Sequence, residues 1–451
     1  MKLDMAAHVK DMTQGKPVSL IVNFALPLML GNVFQQLYTV VDTMVVGKGL
    51  GVGALAAVGS ADWLNWMMLG MIQGLTQGFA ILMAQRFGAK EEEKLRQTVG
   101  LSTVLSILSA LVLMLVGQVT VDPVLKAMNT PAEIHTNAEL YLRIMFMGIP
   151  VVMAYNLLAC ILRSLGDGKT PLNAMIVASI INVVLDIVFV ILFHWGIAGA
   201  AIATLIAQLF SGWFCYRKLR QIKMMHMNRS HFKWDGRRAL KLFKLGIPMA
   251  FQNAIISIGG MLVQTVVNGL GVLYIAGFTA TNKLYGILEI AATSYGYSMI
   301  TYVGQNLGAK KIDRIRQGQR AAILLAMVTS VVIGVFMLVF GKPILSMFIS
   351  GTPEEVKETL RVAYFYLSVM SYCLPFLYLI HICRASIQGM GNTVLPMWSG
   401  IAEFVMRTGA ALLLPLLAGD IGIFYAEILA WIGADIILVP SYYYVISKID
   451  R

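Results

Sequence analysis

Charge is scarce in this sequence. Asp, Glu, Lys and Arg make up 13% of its 451 residues, where a soluble globular domain carries about a quarter. The charges cluster between long apolar runs, and hydrophobic residues reach 58%. A water-soluble globular fold is thereby excluded. Cysteine is scarce too. Cys160, Cys215, Cys373 and Cys383 lie within or at the inner ends of apolar runs, without CxxC or Cys/His spacing. That excludes a disulfide framework or a zinc-ribbon site and leaves four small buried apolar residues. No two of the six histidines (His8, His135, His194, His226, His231, His381) stand four residues apart in an HxxxH spacing. A metalloenzyme motif is therefore missing, and no cofactor-binding motif is present.

What is there is length and apolarity. Runs of roughly 18 or more apolar residues can cross a bilayer. Backbone polar groups cannot be left open in hydrocarbon, so such runs must be helical. Twelve segments are expected, near 18–46, 54–82, 97–119, 137–162, 172–193, 197–216, 241–270, 274–303, 319–341, 360–387, 395–415 and 421–446. Residues 1–17 are polar, and no small-residue cleavage site closes the first apolar run, so the first span is expected to be retained. The fold class is an all-α polytopic membrane protein.

The net charge of +12 reflects loop residues rather than a nucleic-acid surface. With the N-terminus inside, 27 of the 35 Lys and Arg fall in inner segments, five in outer segments, and Arg143, Lys283 and Arg407 within spans. Positive residues concentrate on the cytoplasmic side. Both termini are therefore expected in the cytoplasm, in a plasma or inner membrane.

An internal repeat runs through the chain. Ala25-Leu26-Pro27 recurs as Gly246-Ile247-Pro248, and Ala84-Gln85-Arg86-Phe87-Gly88-Ala89 as Gly304-Gln305-Asn306-Leu307-Gly308-Ala309. Thr130-Pro131, Pro150 and Pro171 recur as Thr352-Pro353, Pro375 and Pro396. Six spans per half is an even number, so the halves are parallel six-helix repeats about an axis along the membrane normal. The division is 1–218 for the N-terminal lobe, 219–240 for a cytoplasmic basic linker and 241–451 for the C-terminal lobe. Transporters so built bind substrate between repeats and rock to alternate access.

These residues carry a family resemblance over nearly the whole length. Pro27, Val41-Asp42-Thr43, Gly47, Gly51, Ala54 to Gly59, Ala84-Gln85 and Gly88-Ala89 resemble the multidrug and toxic compound extrusion (MATE) transporters. So do Arg163 to Asp167, Asn182 to Asp186, Gly196, Gly199-Ala200-Ala201, Gly304-Gln305-Asn306 and Gly308-Ala309. The resemblance implies a secondary antiporter that exports organic, often cationic, small molecules in exchange for H⁺ or Na⁺. It implies a monomer in the bilayer, with no cofactor beyond the coupling ion.

Ionisable residues inside a span are costly, and each is a functional candidate. Seven acids (Asp42, Asp62, Asp186, Glu289, Glu403, Glu427, Asp435) stand against three bases, an interior suited to a cation. In the first half, Asp42, Tyr141, Asp186 and Thr204 are expected at similar depth, with Asn182 one turn from Asp186 on the same helix face. Two carboxylates with Asn, Thr and Tyr oxygens can share a proton or ligate a small hard cation. The pattern resembles the DinF-type branch, which implies a coupling site at Asp42, Asn182, Asp186 and Thr204, with Na⁺ as one candidate occupant. Gln35 and Tyr38 share the face of Asp42 and are expected in the substrate cleft, with Glu289 and Glu427 opposite. Glu139–Arg143 and Glu403–Arg407 are spaced for helical ion pairs. Asp62 reads as a helix-end charge. Pro27 is a candidate hinge. The competing reading, a lipid-linked oligosaccharide flippase, needs Arg or Lys on the first, second and eighth spans to hold a pyrophosphate, and only Lys283 qualifies. A channel would need a filter motif, which the sequence lacks.

Overall fold

The computed structural model describes residues 9–128, 130–347, 349 and 352–450. His8, named above, lies outside them. Thirteen α-helices run among the described residues: α1 Pro17–Leu50, α2 Val52–Gly88, α3 Glu92–Ala127, α4 Ala132–Met147, α5 Ile149–Ser164, α6 Lys169–Asp186 and α7 Gly196–Leu219. They continue with α8 Gly236–Asn268, α9 Val272–Gly308, α10 Ile312–Ser346, α11 Pro353–Gly389, α12 Val394–Ala418 and α13 Ala426–Asp450. Ten helical stretches are long and apolar enough to cross a membrane, and α4 with α5 makes an eleventh. The 37-residue α9 completes twelve, its hydropathy diluted by Asn282, Lys283, Glu289 and a Ser-, Thr- and Tyr-rich second half.

Three spans are less regular than expected. The fourth, read as one helix over 137–162, breaks into α4 and α5 at an angle of 49°. Pro150 in the first turn of α5 has no N–H to continue the ladder, and its ring crowds the preceding turn. The fifth is α-helical only to Asp186 and continues as a π-helical segment, Ile187–Leu192. The twelfth opens with the 3₁₀ segment Asp420–Tyr425 before α13.

The repeat is written into the backbone. Among the described residues, eight of the ten left-handed positions come in pairs near the repeat offset: Gly51 with Gly271, Lys90 with Lys310, Gly166 with Gly391, and Gly196 with Gly419. Lys90 and Lys310 hold φ of 59° and 58°, a conformation that costs a non-glycine residue free energy. Each follows a Gly-Ala pair and closes a long helix before the next begins.

The chain forms two compact units. The first holds Leu26–Ala250, Gly308–Lys310 and the described residues up to Gln14; the second holds Gly15–Ala25, Phe251–Leu307 and the described residues from Lys311. Helices α1 and α8 thus pass from one unit to the other beside Pro27 and Pro248, the two prolines related by the repeat.

Inside the first unit, α2 and α8 meet backbone to backbone. A Cβ on Gly74 would stand 2.4 Å from the Ala250 nitrogen, and one on Gly78 2.4 Å from the Gly246 Cα. Hydrocarbon provides no hydrophobic drive to hold helices together, so small residues four apart gain stability through close packing. The linker is bound down on α3. Arg96 Nη1 donates to the Met224 carbonyl at 3.1 Å and Arg238 Nη2 to Gln97 Oε1 at 3.0 Å. A Cβ on Gly100 would fall 2.2 Å from the His231 carbonyl oxygen.

These contacts predict that Gly78→Leu destabilises the protein by about 1–3 kcal/mol through overpacking. Gly59→Ala, where nothing lies within 4 Å of the added carbon, should leave the melting temperature unchanged or slightly raised. Thermal melts in detergent read both.

Candidate functional site

The polar residues of the first unit converge from five helices. Asp42 and Tyr38 lie on α1, Asp62 on α2, Tyr141 on α4, Asn182 and Asp186 on α6, and Thr204 on α7. Asp42 and Asp186 face each other within direct electrostatic reach. Tyr38 feels both carboxylates, and Tyr141 feels Asp62, Asp42 and Asp186. Asp186 is 0% exposed and Asn182 1%. Asn182 Nδ2 donates to Thr204 Oγ at 3.5 Å, and the Thr204 hydroxyl donates to the Ala200 carbonyl at 3.1 Å.

The acceptors are left over. Both Asp186 oxygens, Asp42 Oδ1 and Asn182 Oδ1 are buried without a hydrogen-bond partner among the described residues. An isolated buried carboxylate is costly unless it is neutralised or bound. Buried oxygen acceptors clustered around a pair of acids suit a proton or a small hard cation. The π-helical segment begins immediately after Asp186. Such segments recur at functional sites because they re-aim neighbouring side chains.

The sequence places Asp42, Tyr141, Asp186 and Thr204 at similar depth and Asn182 a turn deeper, and the structure brings the five together. It also adds Asp62. That residue is not a helix-end charge: α2 starts at Val52, which puts Asp62 nearly three turns in, within reach of Asp42 and Tyr141. Its position relative to the helix start was the available signal, and it was set too close to the end.

In the second unit, four charges bond one another. Arg407 Nη2 donates to Glu427 at 2.8 Å and to Glu403 at 3.1 Å, while Arg384 Nη2 donates to the other Glu403 oxygen at 2.8 Å. Arg384, on α11, is a half-buried member of this chain of charges. Glu289 pairs with His381 Nε2 at 3.2 Å. The candidate cleft acids Glu289 and Glu427 are both engaged. Pro27 lies within α1, and Gln35 stands one turn from Tyr38.

The repeat aligns the two units at this point. Asn182 corresponds to Arg407, and Thr204, counted from the paired glycines 196 and 419, corresponds to Glu427. The amide-to-hydroxyl contact of the first unit occupies the place of the ion pair of the second. Asp186 corresponds to Ala411, and its oxygens have no hydrogen-bond partner among the described residues.

Comparison with known proteins agrees with this architecture. The MatE family model matches residues 27–188 and 248–412. Probable multidrug resistance protein YoeA of Bacillus subtilis is 30% identical over 382 residues, 83% of this chain and 81% of that one. DNA damage-inducible protein F of Escherichia coli is 25% identical over 336 residues, 73% of this chain and 72% of that one. A solved MOP superfamily transporter from Pyrococcus furiosus shares the fold with a TM-score of 0.91 at 22% identity, over 100% of both chains.

Removing one partner from a buried ionic chain costs more than the chain contributes intact. Glu403→Gln leaves Arg384 and Arg407 short of a carboxylate and should lower stability by about 3–5 kcal/mol. Glu289→Gln, at a position 32% exposed, should cost well under that. Thermal unfolding of the two purified variants compares them.

Proposed function

The chain belongs to the MatE family of multi-pass membrane transporters, and on that premise we propose that it is an ion-coupled antiporter exporting organic cations. One observation carries the coupling step: the four unpartnered acceptor oxygens of Asp42, Asn182 and Asp186 in the first unit. An exchanger needs a group whose occupation differs between its two conformations. Here an inward-moving H⁺ or Na⁺ binds between Asp42 and Asp186, with Asn182 Oδ1 and Thr204 Oγ as neutral ligands. Tyr38 and Gln35 flank Asp42 on α1 and meet the substrate. Asp62 adds a third carboxylate, so the emptied site attracts a positively charged molecule. Binding of ion and of substrate then compete for the same negative charge.

Relatives named as multidrug resistance proteins support a broad class of organic substrates. The 28 methionines and 37 Phe and Tyr residues offer adaptable and aromatic walls. The conformational step is a rocking of the two units, with Pro27 as hinge. Its support is that α1 changes unit next to Pro27, as α8 does next to Pro248. The loop-charge bias supports cytoplasmic termini, with export outward across a plasma or inner membrane. The flippase alternative is not favoured, because the first-unit site gathers acids rather than the bases a pyrophosphate requires.

Reconstituted vesicles loaded with a fluorescent organic cation test this. Wild-type protein should drive its efflux under an imposed H⁺ or Na⁺ gradient. Asp42→Asn and Asp186→Asn should each fall to the rate of protein-free vesicles, with melting temperatures near wild type. Full activity in Asp42→Asn, or efflux indifferent to both gradients, would overturn the proposal.

A further inference from the structure

One buried acid of the second unit takes no part in its ionic chain. Asp435 lies on α13 and is 7% exposed, and neither carboxylate oxygen has a hydrogen-bond partner among the described residues. The charges around it are already balanced. Arg384 and Arg407 are cationic, Glu403 and Glu427 anionic, and these four bond one another. Asp435 is the surplus negative group. Arg384 from α11 and Glu403 from α12 are the charges that act on it, and the Cys383 thiol on α11 also faces it. Arg384 does not bond it: its Nη2 is committed to Glu403 and Ser399, and its Nε is unpartnered. One turn earlier on α13, the Trp431 indole N–H is likewise buried and unpartnered.

We infer that Asp435 is a proton-binding site of the second unit, separate from the ion site of the first. The surroundings choose the ion. A small metal cation needs several oxygen ligands, but the groups that act on Asp435 are a guanidinium, a thiol and the Glu403 carboxylate, both of whose oxygens already hold arginines. A proton needs no ligand besides the carboxylate, and it removes the surplus charge where Arg384 cannot. By contrast, the first-unit site presents oxygens from four side chains and fits either ion. The transport role of this proton rests on the antiport reading: two carried charges per cycle, one in each unit. Its binding does not.

Infrared spectroscopy of the purified full-length protein in lipid nanodiscs at neutral pH tests the assignment without transport. The reference is the Asp42→Asn/Asp186→Asn double variant, which removes the first-unit pair. A protonated-carboxyl C=O band that shifts in D₂O should remain in this variant. It should shrink when Asp435→Asn is added and return with Asp435→Glu. Asp435→Ser, read alongside, covers an unstable amide variant. A band of the same intensity with and without Asp435 overturns the inference. Absence of ion-driven efflux would remove the antiport reading and leave the band, and this assignment, standing.

Discussion

Everything in this molecule depends on how it disposes of charge in hydrocarbon. A polar group inside a bilayer must be satisfied by the protein, and an ionised one must be paired, neutralised or bound. The helical backbone satisfies itself. Apart from Asp435, buried and unpartnered in the second unit, the side chains are handled differently in the two units. In the second, Arg384, Glu403, Arg407 and Glu427 form a continuous chain of opposite charges. In the first, Asp42 and Asp186 face each other with no cation bonded to either among the described residues.

The repeat makes this contrast informative. The two units share helix order, left-handed turns and proline positions, so a difference at one aligned place is a difference of chemistry rather than of fold. Where Arg407 grips Glu427, the first unit has Asn182 touching Thr204. Replacing a guanidinium by an amide removes the fixed counter-charge and leaves an acceptor oxygen free. Under the proposed antiport, a bound ion does what Arg407 does permanently. A fixed cation stabilises one state, while an exchangeable one makes stability depend on occupancy. That dependence is what couples binding to a conformational equilibrium.

Much of this was legible in the sequence. Twelve spans follow from run length, because nothing but a helix can hide its backbone in lipid. The repeat follows from the spacing of Pro27 with Pro248 and of the two Gly-Ala turns. The depth of Asp42, Asn182 and Asp186 follows from topology. What could not be read is azimuth and local irregularity. Hydropathy does not say which way a side chain points, so Asp62 reads as terminal. Glu289 and Glu427 looked available because their partners, His381 and Arg407, are 92 and 20 residues away. Pro150 was seen as a mark of the repeat. Its bending of the fourth span by 49° is not copied at Pro375, which stays inside the continuous α11.

The central claim is that the acids of the first unit exchange an ion for an organic cation. The most direct measurement runs the exchange backwards. Vesicles containing the protein are given an outward gradient of organic cation and no ion gradient, while internal H⁺ and Na⁺ are followed. The account predicts that departing substrate draws H⁺ or Na⁺ inward against its own rising gradient. Substrate leaving through the protein with neither ion moving would contradict it.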